Sequence, residues 1–383
     1  MTARDILAAL VGFPTVSRDS NLDLVDWVEA YLDDHGVRSH RVYNEAGDKA
    51  AIYAHIGPEI EGGVVLSGHT DVVPIDGQDW TSDPFTLTER DGRLFGRGTT
   101  DMKGFDALAL ASVPLALKAD LKRPLQIALS YDEEVGCTGA PPMIDHMLDV
   151  LPKADRVIVG EPSMMKAVTG HKGGQGFHVH MKGFEVHSSL MHTGVSAIME
   201  GAKLIDWANR MNVENQAKTP DPVSGLFEPP WTTVHVGQIN GGTAHNITAR
   251  DCVFGLDFRF VPGEEAEDWI VRFREEVTRL DTAMKAVHPA AGIDLDQRFG
   301  VPALRPETDG AAEALVRKMT GDNGMHVVSY GTEAGHFQAR GYSAVVCGPG
   351  DIAQAHQPDE YITVAQFEAG ERFMERLVAT LAA

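Results

Sequence analysis

Residues 68–80 read GHTDVVPIDGQDW and place His69 and Asp71 two apart at the end of the apolar run GVVLS. In a strand, residues i and i+2 project from the same side, so an imidazole and a carboxylate can meet there. Such a pair is half of a metal site. The plain alternative is a capped loop in which Asp71 bonds local backbone and His69 lies at the surface. Further acids and one histidine stand in comparable places. YDEEVG sets Glu133 and Glu134 just past a second apolar run, and VGEP sets Glu161 at the end of a third. GRGTTDMKG carries Asp101 in a Gly-rich loop ahead of a helix, and QAHQPDEY carries His356. Alone, Asp101 would read as a helix cap and DEE as a solvated acidic turn. Together they read as ligands.

His69, His356, Asp101, Glu134 and Glu161 form a mixed imidazole–carboxylate set, which suits zinc better than magnesium or calcium. Five protein ligands are too many for one open catalytic zinc but fit two, provided that one carboxylate bridges them. Asp71 would then hold the other ring nitrogen of His69. Glu133 is left over beside Glu134, free to act as a base. A non-catalytic protein that closes on a ligand would need the metal or ligand contacts but not this extra base.

The elements that must carry these residues alternate along the chain. NLDLVDWVEAYLDDHG has an apolar helical face ending at Gly36 and is followed by strand candidates AIYAHIG and GVVLSGH. The helix GFDALALASVPLALKA precedes the strand PLQIALSYDEE, and the helix APPMIDHMLDVL precedes DRVIVGEP. This order predicts an α/β fold with a mostly parallel sheet. In such sheets functional groups collect beyond the carboxyl ends of the strands, where the candidates lie. The character changes after GHKGGQG: FHVHMKGF, VSAIMEGAKLIDWANRMN, TTVHVGQING, CVFGLDFRFV, AEDWIVRFREEVTRL and IDLDQRF read as an inserted βαββαβ domain. We therefore expect a catalytic domain over residues 1–174 and 300–383, interrupted by an inserted domain over 175–299.

A chain of 383 residues can hold more than one core, and its formal net charge of −22 argues against a nucleic-acid or anionic-membrane partner. Cys137, Cys252 and Cys347 are odd in number and widely spaced, so a reduced, cytoplasmic setting is expected, with neither a disulfide framework nor a cysteine zinc site. No apolar stretch approaches a membrane-spanning length, and the N-terminal one stops at Pro14 without a signal cleavage pattern.

GHTDVVP, GRGTTDMKG, YDEEVG, GEP and AHQPDEY, in this order, resemble the M20 metallopeptidase family of zinc aminoacylases and deacylases. The resemblance implies one zinc on His69, Asp101 and Glu161 and a second on Asp101, Glu134 and His356, with Co2+ able to substitute. It implies Glu133 as general base, Asp71 as its orienting acid partner in the site, and a cis peptide after Asp101. In the inserted domain GFEVHSS is similar to the family's lid segment, which points to His187 as the residue that stabilises the tetrahedral intermediate. TAHNITARDC and LDFRF point to Asn246 and Arg259 as contacts of a substrate carboxylate, and GTEAGHF to Glu333 as partner of a side-chain ammonium. The activity implied is hydrolysis of a small N-acyl amino acid, foremost N2-acetyl-L-ornithine in arginine biosynthesis, by a homodimer joined through the inserted lid/dimerisation domain. Succinyl-diaminopimelate, other acyl amino acids and short peptides are the alternatives.

Overall fold

The computed structural model describes residues 1–383, which divide into two compact units. Met1–Gly170, Pro306–His326 and Thr332–Ala383 form the first, and His171–Arg305 with Val327–Gly331 form the second.

The first unit is built on strands that follow one another in the sheet as Ser39–Tyr43, Ala50–Ile56, Leu125–Ser130, Val64–His69, Arg156–Pro162 and Ser343–Gly348. The short strand Val168–His171 pairs with Ser343–Gly348 at Val168 and Val346. The four from Leu125–Ser130 to Ser343–Gly348 run parallel, and antiparallel pairings flank them. Val64–His69 and Leu125–Ser130 are buried at every position, as expected of parallel strands covered on both faces. Their carboxyl ends, with that of Arg156–Pro162, therefore lie on one rim.

The segment read as a single helix over GFDALALASVPLALKA is two helices, Lys103–Ala111 and Val113–Lys118. Pro114 lacks an N–H and is at home only in the first turn, so the chain restarts its helix around Ser112. The Lys103–Ala111 helix packs unusually close to the sheet because glycines face it. A Cβ on Gly68 would lie 2.0 Å from Asp106 Oδ1, and one on Gly160 would lie 1.9 Å from the Phe105 ring. These glycines directly precede His69 and Glu161 in the chain. Sequence periodicity missed a small second sheet of three-residue strands, Tyr361–Thr363, Arg93–Phe95 and Thr88–Arg90, which are too short to show a period.

In the second unit an antiparallel sheet runs in the order Thr233–Gly241, Asp251–Phe260, Gly173–Lys182, Gly292–Val301. Helices Ala197–Gln216 and Ala266–Val287 supply the rest of the βαββαβ pattern. Strict alternation puts Cys252, Phe254, Leu256, Phe258 and Phe260 in the core with Phe177, Trp207 and Phe273. Asp257 and Arg259 consequently point to the opposite face. No helix is long and apolar enough to cross a membrane.

Candidate metal centre

Three parallel strand ends and two loops bring the sequence candidates together. His69 ends one strand, Glu161 lies near the end of its neighbour, and Glu133 and Glu134 follow Leu125–Ser130 in a tight turn. Asp101 precedes the Lys103–Ala111 helix, and the Asp101–Met102 peptide is cis. The Asp101 carboxylate is shared: Oδ1 is 3.1 Å from His69 Nε2 and Oδ2 is 3.2 Å from His356 Nε2. His69 Nε2 is also 3.7 Å from Glu161 Oε1, and His356 Nε2 is 3.0 Å from Glu134 Oε2. Two donor groups thus meet at one carboxylate, the arrangement a pair of bridged cations requires. Glu161 Oε1 is buried without a hydrogen-bond partner, a costly state for a carboxylate oxygen unless a cation faces it. The donor set and this orphaned oxygen fit divalent metal.

Proximity alone does not separate ligand from base, since Glu133 also offers an oxygen within 4.8 Å of His69 and Glu161 donors. Its surroundings differ, however. Glu133 Oε1 accepts a hydrogen bond from Cys137 Sγ at 3.3 Å, whereas Glu161 Oε1 accepts none.

The bracing of His69 departs from expectation. Its Nδ1 meets the main-chain carbonyl of Asp71 at 2.9 Å, while the Asp71 carboxylate stands off at 3.6 Å. An N–H at Nδ1 leaves Nε2 as the lone-pair nitrogen turned toward Asp101. The Asp71 carboxylate is claimed by stronger competitors: it accepts from the N–H groups of Glu133 at 3.1 Å and Glu134 at 3.3 Å, and from Ser17 Oγ at 2.7 Å. Asp71 therefore holds the ring through its backbone and the DEE turn through its side chain. A second brace went unnoticed in the sequence. Arg97 and Glu360 form a buried pair at 2.7 Å, and Glu360 Oε1 accepts from the N–H groups of Thr100 at 3.0 Å and Asp101 at 3.1 Å. Both residues lie inside the quoted motifs GRGTTD and QPDEY, the only local signal that could have found them.

So many acids in so small a space shift one another. Burial pushes the Glu133 and Glu161 carboxyls well above the ordinary range, with neighbouring carboxylates adding to the rise. Burial and the Asp101 charge bring Glu134 up to about 7. Asp101 moves the other way, because hydrogen bonds from His356 and His69 outweigh its burial. His69 is raised well above its usual value: burial opposes this, but the hydrogen bond to Asp101 and the Glu161 charge prevail. Hydrogen bonds to Asp101 and Glu134 raise His356 to about 10. Without cations the cluster holds protons, and metal binding would release them.

The remaining candidates fall elsewhere. Glu333 is fully buried; Ser67 Oγ donates to its Oε2 at 3.1 Å and Ser130 Oγ donates to its Oε1. Its carboxylate is raised to about 7 chiefly by burial. In the second unit, His187 and Asn246 lie on paired segments, with the Ser188 N–H bonded to the Asn246 carbonyl at 2.8 Å. His187 is exposed, and its Nδ1 accepts from the Ser189 N–H, which leaves Nε2 to carry the ring proton outward. Arg259 lies on the strand Asp251–Phe260 beside Asp257.

A carboxylate-bridged donor set at the ends of parallel strands defines a metal-dependent hydrolase, and this chain belongs to peptidase family M20/M25/M40, whose profile matches residues 65–380. It is 35% identical to the acetylornithine deacetylase of Myxococcus xanthus over 98% of this chain and 96% of that protein. It is 33% identical to the acetylornithine deacetylase of Yersinia pestis, over 98% and 96%. Its fold is that of an M20 family metallo-carboxypeptidase from Sulfolobus solfataricus, with a TM-score of 0.80 at 17% identity over 99% of both chains.

Proposed function

We propose that this hydrolase cleaves the acetyl amide of N2-acetyl-L-ornithine to give L-ornithine and acetate, a step of arginine biosynthesis. The observation that carries the hydrolytic reading is the Asp101 carboxylate with one imidazole at each oxygen. The substrate rests on the names of the relatives with which nearly the whole chain aligns. Zinc is the metal that the imidazole–carboxylate set suits, with His69, Asp101 and Glu161 holding one ion and Asp101, Glu134 and His356 the other. Bound there, it would supply Lewis acidity to a water molecule and to the acyl carbonyl.

The protein's own groups do the rest. Glu133 accepts a proton from the attacking water and delivers it to the departing amine, a task suited to a carboxyl whose pKa burial has raised. Asp71, bonded to the Glu133 N–H, keeps that residue in place. His187 donates from Nε2 to the acyl oxygen as negative charge develops on it. Asn246 and Arg259 receive the substrate's carboxylate. The second unit also serves as a homodimer contact in a cytoplasmic enzyme: Met199 and Val213 on one helix and Ile239 on the edge strand are exposed apolar groups that favour a partner surface.

The test is a comparison of zinc-loaded enzyme on two acyl amino acids. kcat/KM for N2-acetyl-L-ornithine should exceed that for N-succinyl-diaminopimelate by at least about tenfold, roughly 1.4 kcal/mol of transition-state discrimination. Equal or reversed values would overturn the named substrate.

A further inference from the structure

His356 is the most exposed of the five candidate ligands, its side chain 52% accessible where the other four are nearly covered. It lies outside every helix and strand, and its φ of +63° is a left-handed backbone, costly for a residue with a Cβ. Asp359, three residues on, is also left-handed, at +56°. Such conformations persist where the surroundings impose them. Here one short segment of the same unit, residues 78–81, grips both. Gln78 Nε2 donates to the His356 carbonyl at 2.9 Å, while the Thr81 N–H and Oγ1 donate to Asp359 Oδ1 at 2.9 and 3.0 Å. The loop that carries His356 is thus tied at each end.

Gln78 is fixed in turn from the buried side. Its Oε1 accepts from Arg97 Nη2, and from Trp80 Nε1 at 3.1 Å, and the Arg97 guanidinium lies over the Trp80 ring at 5.0 Å. The other end of the same guanidinium, Nη1, donates to Glu360 Oε2 at 2.7 Å, and Glu360 Oε1 holds the Asp101 N–H. One buried cation therefore reaches the Asp101 end of the centre through Glu360 and the His356 end through Gln78. A carboxamide suits that post, because its oxygen accepts from both donors while its nitrogen donates to a carbonyl. A carboxylate of the same shape lacks the donor. We infer that Gln78 is a positioning residue of the metal centre, which sets where His356 stands relative to Asp101 by relaying Arg97 to the His356 main chain. This rests on the two-ion reading above and adds to it the device that holds its exposed ligand.

The test is a calorimetric titration of the demetallated full-length protein with zinc, repeated with cobalt and read by visible absorption. The wild type should take up two ions. Gln78→Met keeps the length of the side chain and removes its hydrogen bonds. It should weaken one of the two binding steps about 10–100-fold, as loss of a group that orients a ligand does, and leave the other within about threefold. Gln78→Glu is the sharper variant. Its carboxylate still accepts from Arg97 and Trp80 and adds a negative charge that by itself favours cations, but it cannot donate to His356, so the same step should weaken. Wild-type affinity in both steps for either variant overturns the inference and leaves the two-ion reading in place. Equal weakening of both steps marks a general loss of structure and overturns it too. A wild type that takes up fewer than two ions removes the two-ion reading and the inference with it. The predicted pattern in a protein that leaves N2-acetyl-L-ornithine intact would uphold the inference and overturn the substrate alone.

Discussion

Glu133 and Glu134 are chemically identical neighbours with different surroundings. Glu134 faces His356 at 3.0 Å and Asp101 lies just beyond, whereas Glu133 is tethered through its N–H by Asp71 and through Oε1 by Cys137. On the proposed roles, replacing Glu133 by Gln removes a proton acceptor and not a ligand, so kcat should fall about 10²–10⁴-fold while metal content stays unchanged. Glu134→Gln should lower metal content as well. Metal analysis of the two purified variants, beside their kinetics, checks the assignment, and the opposite pattern would exchange the roles. The chain showed these types at these places because H-x-D and D-E-E are local patterns beside apolar runs. It could not show which oxygen each donor claims, and that is why Asp71 turned out to brace the acidic turn with its side chain and His69 with its carbonyl.

The Lys103–Ala111 helix connects the strand ends to one another. It begins two residues after Asp101, and its Phe105 and Asp106 occupy space that Gly160 and Gly68 leave free, one residue before Glu161 and His69 respectively. Gly160→Ala would drive a methyl group into the root of the Phe105 ring, not its flexible end. The helix and strand must then separate, at a cost of about 1–3 kcal/mol typical of overpacking. Because the same shift moves Asp101 away from Glu161, metal content should drop together with thermal stability. Gly255→Ala is the control: nothing lies within 4 Å of a Cβ there, so stability should change by less than about 0.5 kcal/mol. Equal effects of the two substitutions on thermal denaturation and metal content would remove this role from the helix. The helix itself was readable from its apolar period, whereas its break at Ser112 was missed although Pro114 is the local signal for it. The close approach was not, since a glycine in a strand announces freed space without naming the neighbour that fills it.

The protein carries a formal charge of −22 and concentrates five acids and two histidines, four of them buried, around one small volume. Folding that cluster without counter-ions requires protons to stay on groups such as Glu161 that would otherwise be ionised at neutral pH. Metal that binds only the folded state adds stability by mass action, about 4 kcal/mol at a thousandfold excess over Kd. Exhaustive chelation should therefore abolish hydrolysis and lower the melting temperature of the metal-bearing unit by at least about 5 °C. Adding zinc, or cobalt in its place, should restore both. Full activity and an unmoved melting curve in demetallated protein would sink the metal-dependent reading.

The clustering of the candidate acids and histidines, the alternation of strands and helices and the βαββαβ order of the second unit were legible in the chain, because period, turn chemistry and strand-end position are properties of a few adjacent residues. What the linear order left open were the contests settled at long separation. Arg97 and Glu360, 263 residues apart, fasten the Asp101 backbone, and Ser67 and Ser130 both donate to the Glu333 carboxylate. Each acid here could bond several groups, and only packing determines which of them arrives first at each buried oxygen.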